Sequence, residues 1–91
     1  MIKSFKHKGL KQLFEKGYSN GVNPAHIAKL LRMLDVIDKA GNISDFRFFY
    51  KSHELKGNRA GIWSMTVSGN WRITFEFKQG NAYILDYEDY H

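Results

Sequence analysis

Residues 53–77, HELKGNRAGIWSMTVSGNWRITFEF, decide how this chain folds and carry most of its chemistry. Ile62 to Val67 and Trp71 to Phe77 alternate apolar and polar residues with the period of a β-strand. Ser68-Gly69-Asn70 between them is rich in the residues a tight hairpin needs. The alternation also sorts the faces. Trp63, Met65 and Val67 share one side of their strand, and Trp71, Ile73, Phe75 and Phe77 share one side of theirs. These are the expected core residues. Thr66, Arg72, Thr74 and Glu76 point to the other, wetter face. Into the same short stretch the chain packs His53, Lys56, Arg59 and Arg72. Binding a polyanion is one reason for so much cationic and titratable chemistry on a small sheet. Cutting the polyanion is a stronger one.

Downstream, Lys78 to Asn81 reads as a second turn and Ala82 to Glu88 as a third strand. Upstream, residues 43–61 read as a connecting segment with a short helical turn near Ser44 to Phe48. Before it comes the clearest helix of the chain. Asn23 is its candidate N-cap and Pro24 suits its first position. Ile27, Leu30, Leu31, Leu34 and Ile37 recur at helical spacing, and Gly41 ends the run. A helix of about 17 residues is roughly 25 Å long, enough to lie across one sheet face. Lys6 to Lys16 predicts an earlier helix, with Leu10, Leu13 and Phe14 on one side and Gly17 as its C-cap. Met1 to Phe5 alternates and suits a first or edge strand. Two helices followed by a meander of three strands indicate an α+β fold, one domain over residues 1–91.

Composition sets the class. A chain of 91 residues builds one small core, and 43% hydrophobic residues with 15% aromatics supply it. There are no cysteines, which excludes disulfides and thiolate metal sites. No apolar run approaches the roughly 18 residues of a membrane span. The early lysines Lys3, Lys6 and Lys8 have no apolar stretch behind them, so a signal peptide is not expected. The expected compartment is the cytoplasm, with no membrane partner. The net charge of +5 suits nucleic acid or the ribosome without requiring either.

RNA can be cut without metal or cofactor. A base removes the 2′-hydroxyl proton, the 2′-oxygen attacks the adjacent phosphate, and an acid protonates the leaving 5′-oxygen. Cations stabilise the charge gathered on phosphorus. Histidine suits the proton transfers, and arginine and lysine suit the third role. The candidates are His53, Lys56, Arg59, Asn70, Arg72, Asp89, Tyr90 and His91. If the last strand continues, Leu85, Tyr87, Asp89 and His91 point the same way. Asp89 is then placed to orient an imidazole or keep it charged. His91 ends the sequence, so its own α-carboxylate favours the protonated ring. His91 is expected as acid or substrate-binding cation and His53 as its partner, with the two roles interchangeable. Each residue also has a plainer reading. His53 suits a polar loop position, and residues 56–59 a solvated turn. Asp89 to His91 suits a frayed terminus. Arg72 suits a pairing with Glu76 or Asp86. Tyr83 and Tyr87 read as packing residues, His7 and His26 as surface residues. No histidine spacing suggests a metal site, and Gly57-x-x-x-Gly61 lacks the Lys-Ser/Thr ending of a phosphate loop.

His53-Glu-Leu-Lys56-Gly57-Asn-Arg59-Ala-Gly61-Ile-Trp63-Ser64, Asn70-Trp71-Arg72-Ile73 and Asp86-Tyr87-Glu88-Asp89-Tyr90-His91 together resemble the HigB toxins of the RelE/ParE superfamily. The opening Ile2-Lys3-Ser4-Phe5 and the length fit as well, so the resemblance spans the chain. It implies two N-terminal helices packed on a small curved antiparallel sheet, as in RelE and microbial ribonucleases. It implies the toxin of a type II toxin–antitoxin pair, a bacterial endoribonuclease that enters the A site of the 70S ribosome, cleaves mRNA and stops translation. By motif match, His53, Arg72, Asp89 and His91 carry over as catalytic candidates. Lys56, Asn70 and Tyr90 carry over as RNA-binding candidates, with Arg59 a weaker one. The implied partner is a HigA-type antitoxin with a helix-turn-helix domain, the pair repressing its own promoter.

Two rivals stand beside that expectation. A ParE-like toxin on the same fold acts on DNA gyrase and has no need of His53 and His91. A non-catalytic RNA-binding module explains the charge but not Asp89 and His91 at the end of a strand neighbouring Arg72.

Overall fold

In a computed structural model, which describes residues 1–89, the hairpin anticipated at 62–77 forms the middle of the sheet. Strand β2 (Ile62–Ser68) pairs antiparallel with β3 (Trp71–Lys78), and β3 with β4 (Asn81–Asp89). Gly69, at φ +55, supplies the left-handed turn residue of the first hairpin. Gln79 and Gly80 are both left-handed, the geometry a two-residue type I′ turn needs.

The expected meander of three strands gains a fourth. Strand β1 (His53–Glu54) pairs antiparallel with β2, His53 opposite Ser64 and Glu54 opposite Trp63. Among the described residues the sheet order is β1-β2-β3-β4. Two residues are too short for periodicity to register. Met1 to Phe5, expected as a strand, contributes only isolated parallel bridges, Ile2 to Ala82 and Phe5 to Leu85.

Helix α1 (Lys8–Lys16) starts two residues later than expected, because the Nδ1 of His7 accepts the Leu10 amide and caps it. Gly17, left-handed at φ +74, ends it as anticipated. The second helical run is divided. Asn23 caps a 3-10 turn at Pro24–His26, accepting the Ala25 amide, and α2 (Ile27–Lys39) follows. Leu30, Leu34 and Ile37 are fully buried as read, and so is Met33. Leu31, expected on the apolar face, is 45% exposed: the stripe runs 30-33-34-37 and leaves 31 on its edge. The connecting segment holds a 3-10 turn at Ile43–Asp45. Just beyond it, buried Phe46 meets Trp63, Phe75 and Phe77 edge-on.

The core is one cluster between helices and sheet, with Leu10, Leu13, Leu30, Met33, Leu34 and Ile37 against Met65, Val67, Ile73, Phe75 and Leu85. The opposite sheet face is drier than expected, since Ser64 and Thr74 are each only 2% exposed. No helix among the described residues is long and apolar enough to cross a membrane.

Candidate active site

The face of the sheet turned away from the core is set by register. Arg72 stands between Thr66 on β2 and Glu88 on β4, and Thr74 between Ser64 and Asp86. β1 brings His53 opposite Ser64, onto this face. The result is a groove of about 260 Å³ lined by His53, Leu55, Ser64, Thr66, Gly69, Asn70, Trp71 and Arg72. Three sequence-predicted residues, His53, Asn70 and Arg72, therefore share one concavity, with two hydroxyl side chains on its floor.

His53 is exposed and locally oriented. Tyr50 and Lys51 are both left-handed (φ +53 and +52), a tight reversal ahead of β1, and the His53 Nδ1 lies 3.1 Å from the Lys51 carbonyl. A carbonyl only accepts, so Nδ1 carries a proton and the neutral ring keeps its lone pair on Nε2. That is the state a proton acceptor requires. Asn70 is exposed in the hairpin turn at the groove's end.

Arg72 is held deep, its side chain 13% exposed, with Nη2 3.5 Å from Glu88 Oε1. The pairing foreseen with Glu76 or Asp86 is thus made with Glu88 instead. Arg59, a candidate RNA contact, grips the same carboxylate with both terminal nitrogens, at 2.9 and 3.4 Å. Thr74 donates its hydroxyl to Glu88 at 2.6 Å. The Arg59 hydrogen bond, helped by Thr74 and both guanidinium charges and opposed by partial burial, lowers the Glu88 pKa to about 2. Glu88 in turn raises that of Arg59. Lys56 is exposed immediately before the 3-10 turn Gly57–Arg59.

Asp89 lies opposite Trp71, beside the groove's end. Alternation gives it the side shared by Leu85 and Tyr87, not that of Arg72. Tyr90 and His91 lie outside the described residues.

Sequence reading missed two features. Glu88 is the first: an acidic residue looks out of place in a polyanion site, and only the register sets it across from Arg72. His26 is the second. Expected at the surface, it is 7% exposed, and its Nδ1 meets the Tyr87 hydroxyl at 2.5 Å. Tyr87 stacks on Trp71 with centroids 4.5 Å apart, and burial raises its pKa. His7 is half-buried and edge-on to the same ring. The packing role read for Tyr87 stands, with two histidines added beneath the end of β4.

The chain matches the family model described as the RelE-like toxin of type II toxin–antitoxin system HigB, over residues 3–91. It is 58% identical to the endoribonuclease HigB of Proteus vulgaris, across the whole of both chains. It is 32% identical to toxin HigB-1 of Vibrio cholerae serotype O1, across all of this chain and 98% of that one.

Proposed function

This chain belongs to the HigB-like family of RelE-like toxins, and from that membership we propose that it is an endoribonuclease which cleaves mRNA in the ribosomal A site and so arrests translation. The observation that carries the reading is the groove that gathers His53, Asn70 and Arg72 beside two hydroxyl side chains. A toxin of a type II pair has a cognate antitoxin. Here that partner is of the HigA type, with a helix-turn-helix domain, and the toxin acts in the cytoplasm.

In the reaction, the His53 Nε2 accepts the proton of the 2′-hydroxyl. The 2′-oxygen bonds to phosphorus while the bond to the 5′-oxygen breaks. The products are a 2′,3′-cyclic phosphate and a 5′-hydroxyl. Arg72 stabilises the charge on the non-bridging oxygens. His91 returns a proton to the leaving oxygen; exchange of the two histidine roles uses the same groups. Asn70, Lys56 and Tyr90 bind the RNA strand.

Inducible expression followed by mapping of mRNA 5′ ends tests the function. Cuts confined to translated frames are expected. Intact mRNA with gyrase-dependent DNA damage would favour the ParE-like alternative, and arrest with neither would favour a binding module. His91→Gln is expected to abolish growth arrest at equal expression and unchanged thermal stability. Full toxicity of that variant would remove His91 from the mechanism.

A further inference from the structure

A carboxylate on the face that must meet a polyanion repels the substrate, so Glu88 is not there to bind RNA. Its contacts point to another role. It takes both terminal nitrogens of Arg59, one of Arg72 and the hydroxyl of Thr74. Arg59 closes the 3-10 turn that follows Lys56, and Arg72 lines the groove. One side chain of β4 is thereby tied to the two segments that carry the cations of the site. We infer that Glu88 is a positioning residue for RNA cleavage, orienting the Arg72 guanidinium directly and fixing the Lys56 turn through Arg59.

This assignment rests on the ribonuclease reading and also revises the part of Arg59. With two nitrogens spent on Glu88, Arg59 is a tie between turn and strand rather than a phosphate ligand. The cluster keeps its purpose electrostatically, since two guanidiniums and one carboxylate leave a net positive charge. Arginine's planar fork explains why Arg59 holds the turn: two parallel contacts fix direction, where a single ammonium contact fixes only distance. Misplacing a transition-state cation by about 1 Å can cost on the order of 100-fold in rate.

The test is single-turnover cleavage on programmed ribosomes together with NMR of the arginine side chains. Glu88→Gln keeps the shape and removes the charge. It is expected to slow cleavage by roughly 10- to 100-fold while ribosome affinity stays within about twofold. The guanidinium signals of Arg59 and Arg72 are expected to rotate slowly in the wild type and faster in Glu88→Gln, with the larger change at Arg59, which gives two nitrogens to Glu88. Thr74→Val, which removes one donor, should give a smaller loss of the same kind. In an Arg72→Ala background Glu88→Gln should cost clearly less than in the wild type, because the part it plays through Arg72 is already gone and only its hold on the Lys56 turn is left to lose. Wild-type cleavage by Glu88→Gln, or full additivity of the two losses, would overturn the assignment. Should wild-type protein leave ribosome-bound mRNA intact, the functional reading fails instead. The NMR arm still decides whether Glu88 orders the two arginines, and unchanged signals in Glu88→Gln would refute that.

Discussion

Arg72 and Glu88 show how much one cross-strand pair settles at the scale of single residues. Arg72 is nearly enclosed yet lines the groove, so its charge is aimed rather than dispersed into water. Arg72→Ala is expected to slow cleavage by roughly 100-fold or more if the guanidinium meets transition-state charge. A rise in KM with kcat unchanged would reassign it to binding. Glu88 yields a prediction about stability. Its ordinary pKa of 4.5 falls to about 2 in the fold. The stabilisation by its ionised form is therefore complete above pH 4.5 and drains away as pH falls through about 2. Urea midpoints of wild type and Glu88→Gln should converge across that window, and a constant gap would refute the pairing. Arg72 was legible in the sequence from strand alternation alone. Glu88 was not, because its meaning comes from the residue opposite it, sixteen positions away along the chain and on the neighbouring strand.

At the scale of elements, backbone geometry makes the site possible. Across β3 and β4 the register shifts between Thr74 and Glu76, where Ile84 adopts φ +51. A β-branched residue in that region is strained. The irregularity resets the alternation so that Ala82, Leu85 and Tyr87 all face the core while Asp86 and Glu88 face outward. Without it, either the core or the Arg72 pairing would be lost. A second constraint lies far from the groove. A Cβ on Gly9 would meet the Gly21 carbonyl oxygen at 2.6 Å, so α1 and the loop before α2 touch through bare backbone. Alanine inside a helix normally gains up to about 1 kcal/mol over glycine. Here overpacking costs about 1–3 kcal/mol and wins, so Gly9→Ala should lower the Tm. A Tm at or above wild type would show that the loop yields freely.

For the whole molecule, the helices occupy one sheet face and leave the other, which holds the proposed RNA groove, uncovered. The charge of +5 then assists encounter with any polyanion, while the chemistry is proposed for the groove. If about three phosphates are contacted, affinity for ribosome-bound RNA should fall roughly twentyfold between about 50 and 200 mM salt. Filter binding with an uncleavable 2′-deoxy substrate measures this, and a flat profile would exclude phosphate contacts as the main source of affinity.

Strand and helix periodicity, the caps at Asn23 and Gly17 and the glycine turns are local properties. Sequence alone therefore determined the α+β order, the hairpin and most of the core. It also placed His53, Asn70 and Arg72 among the site candidates, because cations and histidines between strands have few other uses. Only tertiary structure decided which of them meet. The two-residue β1 that delivers His53 exists because β2 offers it an edge. The burial of His26 follows from the packing of the 3-10 turn before α2 against Trp71 and Tyr87. The union of Arg59, Arg72 and Thr74 on Glu88 depends on a strand register that is a long-range property. Periodicity reports which way a side chain points along its own strand, but the partner across the sheet is chosen by the packing of the whole chain.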